Sequence, residues 1–103
     1  MRIMVKFRFP AEAGNELIES GKVAKVMELL AKDLKPEAAY FYPDLGERGG
    51  FFIIDMQVSS QVAGVAERFF FGLGAEVELT PVMNAEDLQK GLSGVEAIIK
   101  NYG

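Results

Sequence analysis

Two short segments of strict alternation limit what this chain can fold into. From Arg2 to Phe9, the side chains Ile3, Val5, Phe7 and Phe9 share one face, and Arg2, Met4, Lys6 and Arg8 share the other. Near the other end, Ala75 to Thr80 places Val77 and Leu79 on one face and Glu76, Glu78 and Thr80 on the other. Strand side chains alternate with period two, so each segment reads as a strand with an apolar face and a charged one. The charged faces have opposite sign. The pattern predicts a sheet whose first and last strands lie side by side.

The chain has 103 residues, which predicts a single domain over 1–103. It has no cysteine and no histidine. Disulfides are excluded, and the usual ligands of zinc, copper, haem and non-haem iron sites are missing. A Cys–His pair or a Ser–His–Asp triad cannot be built, so a general base must be a carboxylate, a lysine or a tyrosine. No dense carboxylate cluster suggests magnesium or calcium. The expectation is no metal and no cofactor. The net charge of −4 argues against non-specific binding to nucleic acid or to an anionic membrane. No apolar stretch approaches a membrane span, and the N-terminus lacks a signal-peptide pattern, so a cytoplasmic location is expected.

After Pro10, residues 15–34 read as one helix, with Leu17, Ile18, Ala24, Met27, Leu30, Ala31 and Leu34 forming its apolar stripe. Gly21 weakens it by about 1 kcal/mol relative to alanine, and Pro36 ends it. Residues 37–42 read as a short aromatic strand, and 43–50 as a flexible turn. Residues 51–58 are the strongest strand, with Phe52, Ile54, Met56 and Val58 on one face and Phe51, Ile53, Asp55 and Gln57 on the other. Ser59 or Ser60 is a candidate cap for a second helix carrying Val62, Val65, Ala66, Phe69 and Leu73 on its core stripe. Asn84 and Asp87 have the spacing of a helix start, and Leu88, Leu92, Val95, Ile99 and Tyr102 form a final stripe.

This order predicts an α+β, ferredoxin-like βαββαβ antiparallel sheet of order 4-1-3-2, with two helices on one face and an added C-terminal helix. The first strand then lies between the last and the third, and Lys6 and Arg8 have Glu76, Glu78 and Asp55 as cross-strand partners. The helix-free face would carry Met4, Phe51, Ile53 and one of the two aromatic sets of the second strand. So apolar a face calls for a cover, and a second copy related by two-fold symmetry is the simplest.

The topology resembles the dimeric α+β barrel superfamily, in which two such sheets pack face to face. The segments Lys35-Pro36-Glu37-Ala38-Ala39-Tyr40-Phe41 and Pro81-Val82-Met83-Asn84-Ala85-Glu86-Asp87-Leu88 are similar to a group of small bacterial proteins of about this length. That group often carries Ala-Glu-Pro in the second helix, where this chain has Ala66-Glu67-Arg68. The resemblance implies a fold and a homodimer. It implies no reaction, since the superfamily mixes isomerases, cofactor-free monooxygenases and haem proteins.

The candidate site residues have more than one reading each. Lys6 and Arg8, with Asp55, can line an anion-binding cavity or form an ion-pair network. Tyr40 and Tyr42 can position a ligand or pack at an interface. Glu67, Tyr40 and Asp55 are the candidate proton-transfer groups. In the run Phe69-Phe70-Phe71, successive side chains point about 100° apart and cannot all face one core, so Phe70 and Phe71 are candidates for a pocket wall or for packing under the C-terminal helix. The expected pocket lies between the sheet and the two main helices, walled by Phe7, Phe52, Ile54, Phe70 and Phe71, with Glu67 and Tyr40 or Tyr42 at its lip.

Nucleotide motifs fail: Gly72-Leu73-Gly74 follows a helix and lacks the third glycine, and Ser20-Gly21-Lys22 lacks the upstream glycine of a phosphate loop. Residues 47–54 match an RNA-recognition strand at a small residue and one aromatic only. Two functions are carried forward. One is a homodimer that binds a small organic ligand or has a structural role. The other is a cofactor-independent isomerase or monooxygenase acting on aromatic or polyketide-like compounds.

Overall fold

The computed structural model describes residues 1–103. Strand β1 (Arg2–Phe9) leads through two helices, α1 (Ala11–Glu19) and α2 (Lys22–Leu34), to the hairpin β2 (Ala38–Asp44) and β3 (Glu47–Asp55). Helix α3 (Gln61–Leu73) returns the chain to β4 (Glu76–Pro81). Helix α4 (Ala85–Gly91), a 3-10 turn (Leu92–Gly94) and α5 (Val95–Tyr102) complete it.

The expected ferredoxin-like βαββαβ class, order 4-1-3-2 with two helices and one more at the end, is corrected on its element string. Read from the β2 edge, the antiparallel sheet runs β2-β3-β1-β4. Its elements follow as βααββαβ, with a helical arm appended. The first crossover is two helices because Gly21 takes a left-handed φ of 80°. Glycine adopts that conformation without the Cβ clash that other residues suffer. The backbone N–H of Ser20 and of Gly21 donate to Glu16 and Ile18 carbonyls, closing α1 before α2 begins.

The hairpin corrects a second expectation. Residues 43–50 are not a flexible turn: Pro43 and Asp44 belong to β2, and Glu47 to Gly50 belong to β3. Only Leu45 and Gly46 form the turn, with φ of 51° and 80°. Two successive positive φ values give the tight turn whose twist matches paired strands. Gly50 sits inside the ladder because a Cβ there would run into the carbonyl oxygen of Tyr40.

One face of the sheet holds the core. Ile3, Val5, Phe7 and Phe9 of β1 and Phe52 and Ile54 of β3 are buried against Val26 and Leu30 of α2 and Val65, Phe69 and Leu73 of α3. The Phe69 ring lies 5.2 Å from Phe7 and 5.8 Å from Phe52 between centroids. Rings so placed pack in offset or edge geometries that add to plain area burial. Neither serine caps α3 through its side chain. Gln61 does the work, its Oε1 accepting from the backbone N–H of Gln57 at 2.6 Å and of Val58 at 3.1 Å. Gly74, with φ 59°, closes the helix.

The arm starts on the expected signal. Asn84 Oδ1 accepts from the Asp87 backbone N–H at 2.8 Å, and Asp87 Oδ2 accepts from the Asn84 N–H at 3.1 Å. The chain then leaves the body. No residue of α4, the 3-10 turn or α5 is buried. The radius of gyration is 17.0 Å, against roughly 13 Å for a compact chain of this length. The final stripe therefore does not fill the space beside the sheet.

Candidate ligand groove

The two faces of the sheet have different chemistry, fixed by register. On the helix-free face, Tyr40, Phe51, Lys6 and Glu78 form one row across the strands, and Tyr42, Gly49, Arg8 and Glu76 form the next. The Phe51 ring stacks at a tilt against Tyr40, centroids 5.5 Å apart, and meets Tyr42 edge-on at 6.3 Å. Tyr40 remains 61% exposed.

Lys6 and Arg8, two of the three β1 cations on this face, are answered by carboxylates. Arg8 Nε donates to Glu76 at 2.7 Å and approaches Glu47 at 3.6 Å. Asp44, whose side chain is only 13% exposed, lies 3.5 Å from Lys6 Nζ and 3.9 Å from Arg8 Nη1. The hydrogen bond to Glu76, ahead of the surrounding negative charge, holds Arg8 above its ordinary pKa. Asp44 was expected in a loop. The strand extension puts it beside Lys6 instead.

Asp55 is not the counter-charge of Lys6 or Arg8. The register sets it opposite Arg2. Its carboxylate accepts from the N-terminal ammonium at 2.7 Å and from Gln57 Nε2 at 2.7 Å. These two bonds, the ammonium first, hold its pKa below the ordinary carboxylate value.

The expected pocket walls also change. Phe70 and Phe71 lie on the outer surface of α3, Phe70 45% and Phe71 82% exposed. Glu67 is exposed on the same helix. The candidate proton-transfer groups are thus dispersed: Glu67 outside α3, Tyr40 on the helix-free face, Asp55 at the end of β3. Lys6, Arg8, Tyr40 and Tyr42 do share one face.

A groove opens instead between the hairpin and the α1–α2 pair, with a volume of about 770 Å³. Its floor is Phe7 and Phe9, and its sides are Ile18, Val23, Met27 and Phe41. Phe41 meets Phe7 edge-on, centroids 6.4 Å apart, across the side-chain gap left by Gly50. Arg48 closes one end. Its Nη1 donates to the Ala11 carbonyl at 3.1 Å and its Nη2 to Asn15 Oδ1 at 2.9 Å. Gly14 makes room for this seat: a Cβ there would stand 2.9 Å from both the guanidinium and the Phe9 ring.

Arg48 had a signal in the sequence. Carrying the alternation of Phe52 and Ile54 back through Gly50 puts Arg48 on the apolar face, where a charge is out of place. No group of three or more carboxylates converges as a metal site would require. No helix is long and apolar enough to cross a membrane. No family model, curated protein or solved structure matches the chain.

Proposed function

We propose that this protein is a homodimer that binds a small organic molecule in the groove between the β2–β3 hairpin and the α1–α2 pair. The observation that carries the reading is the groove itself. Small-molecule sites are concave, mainly apolar and finished by a few polar groups, with volumes of about 300–1,000 Å³. Thirteen lining residues, eight of them hydrophobic and only Arg48 and Glu47 charged, around about 770 Å³, fit that description.

The pairing rests on the other face of the sheet. Met4, Ile53, Phe51, Tyr40 and Tyr42 make an apolar surface that a second copy would cover. The arm adds Leu88, Leu92, Ile99 and Tyr102, all exposed. The groove's other aromatics, Phe7, Phe9 and Phe41, lie on the opposite side of the sheet, and Tyr42 borders both.

Titration of the isotope-labelled protein with a neutral bicyclic probe such as 2-naphthol tests the groove. Amide shifts should concentrate at Ile18, Phe41 and Arg48, and Ile18→Trp, which fills the groove, should abolish them. Shifts scattered over the surface, or unaffected by Ile18→Trp, would remove the reading. Sedimentation at micromolar concentration should report a dimer. A monomer there would remove the pairing while leaving the groove.

A further inference from the structure

We propose that the molecule bound in this groove is an aromatic monocarboxylic acid, its carboxylate held by Arg48. The inference rests on the groove being a ligand site and adds the chemical class of the ligand.

The argument starts from charge. The chain has four arginines, Arg2, Arg8, Arg48 and Arg68. Arg2 lies beside Glu37 and Asp87, Arg8 beside Asp44, Glu47 and Glu76, and Arg68 beside Asp33. Arg48 alone has no carboxylate within 4.0 Å. The adjacent Glu47 does not supply one, because alternation turns its side chain to the opposite face, toward Arg8.

A guanidinium carries five N–H donors. Arg48 uses one on Nη1 and one on Nη2 to hold α1. Its Nε–H and one further N–H on each terminal nitrogen have no protein acceptor, which leaves edges suited to the two oxygens of a carboxylate. The two bonds to α1 also fix the plane of the guanidinium, so less side-chain freedom is lost when an acid binds.

The rest of the groove selects what carries the acid. Beyond Arg48 the walls are Phe7, Phe9 and Phe41, with Ile18, Val23 and Met27. Flat apolar bodies match ring edges and faces of this kind. Arg48 is the one cation of the lining, and Glu47, which also borders it, turns its carboxylate toward Arg8, so a single acid group is expected and a second would lie against apolar side chains at a desolvation cost.

The test compares 2-naphthoate with 2-naphthamide, its neutral analogue of nearly the same shape, by calorimetry on the full chain. Naphthoate should bind the unmodified protein at least 10-fold more tightly than the amide. Arg48→Gln should erase that preference, so that acid and amide bind it alike, and Arg48→Lys should keep a part of it. Equal affinity for acid and amide, or an acid preference that persists in Arg48→Gln, overturns the inference while the groove stands as a neutral-ligand site. Failure of both probes to bind overturns the inference together with the groove reading. The first comparison needs no variant, so a misfolded Arg48→Gln protein does not shield the proposal.

Discussion

Arg2 Nη1 donates to Asp87 Oδ2 at 3.1 Å, joining the first residue of β1 to the first turn of the C-terminal arm. The same oxygen accepts from the Asn84 backbone N–H. Arg2 also donates through Nε to Glu37 at 2.5 Å. Its pKa is raised chiefly by that bond, with Glu37 and Asp87 adding negative charge. One side chain therefore ties β1, the residue just before β2 and the arm.

Asp87→Ala removes the reciprocal half of the α4 capping box and the Arg2 contact together. A lost cap costs about 1 kcal/mol of helix stability, and an exposed ion pair contributes less than about 1 kcal/mol. Hydrogen exchange should quicken across Ala85–Gly91 while the β1 amides keep their protection. Loss of protection in β1 would show that the root of the arm is part of the sheet's own stability.

Deleting residues 85–103 should leave the body folded, since every buried core residue lies at or before Ala75. The melting temperature should move by less than about 5 °C, a shift on the order of 1 kcal/mol for a domain of this size. Far-UV circular dichroism should lose helix in proportion to the segment removed. An unfolded or aggregated product would mean that the arm supports the core.

Leu45 is 82% exposed and holds a left-handed φ of 51°. Such a conformation costs a β-carbon-bearing residue roughly 1–2 kcal/mol, and asparagine tolerates it better. Asn followed by Gly is the favoured pair for this turn. Leu45→Asn should therefore raise the melting temperature by a few degrees. A fall would mean that Leu45 makes a contact in the assembled protein that the single chain does not contain.

Asp55 predicts the acid side of the stability profile. Its folded-state pKa lies below its unfolded one. The stabilisation is therefore complete above the unfolded value of about 3.9 and is lost as the pH falls through the folded value. Asp55→Asn should lower the melting temperature at pH 6. The two curves should converge as the pH drops below about 4. Parallel curves down to pH 2 would show that the ammonium and Gln57 contacts do not hold in solution.

The legibility of this fold followed the range of its signals. The faces of β1 and β4 are readable because alternation depends on adjacent residues alone; that Lys6 and Arg8 face Glu76 and Glu78 follows from them, and the register then sets Lys6 opposite Glu78 and Arg8 opposite Glu76. The start of β3 is not readable, because Gly49 and Gly50 read as turn residues, although close backbone approach is their reason for being in the ladder. Counting β3 from Phe51 hid both Asp44 beside Lys6 and Arg48 at the groove. The triple phenylalanine misled in a different way. Only Phe69 enters the core, as its place on the helical stripe with Val65 and Leu73 indicates, while that stripe says nothing of where Phe70 and Phe71 go. The arm's stripe was legible as amphipathic, but its direction away from the body depends on the short link after Pro81.

The split at Gly21 also solves a problem of length. An uninterrupted helix over 11–34 would run roughly 36 Å at 1.5 Å per residue. The eight residues of β1 span only about 26 Å at 3.3 Å each. A rod that overshoots its sheet would carry its last turns past the hydrophobic floor into water. Folding the rod once lets α2 lie over the floor while α1 stands off beside the hairpin. The space under that offset segment is bordered by the edges of Phe7 and Phe9, so the same residue that shortens the crossover leaves the molecule with a cleft.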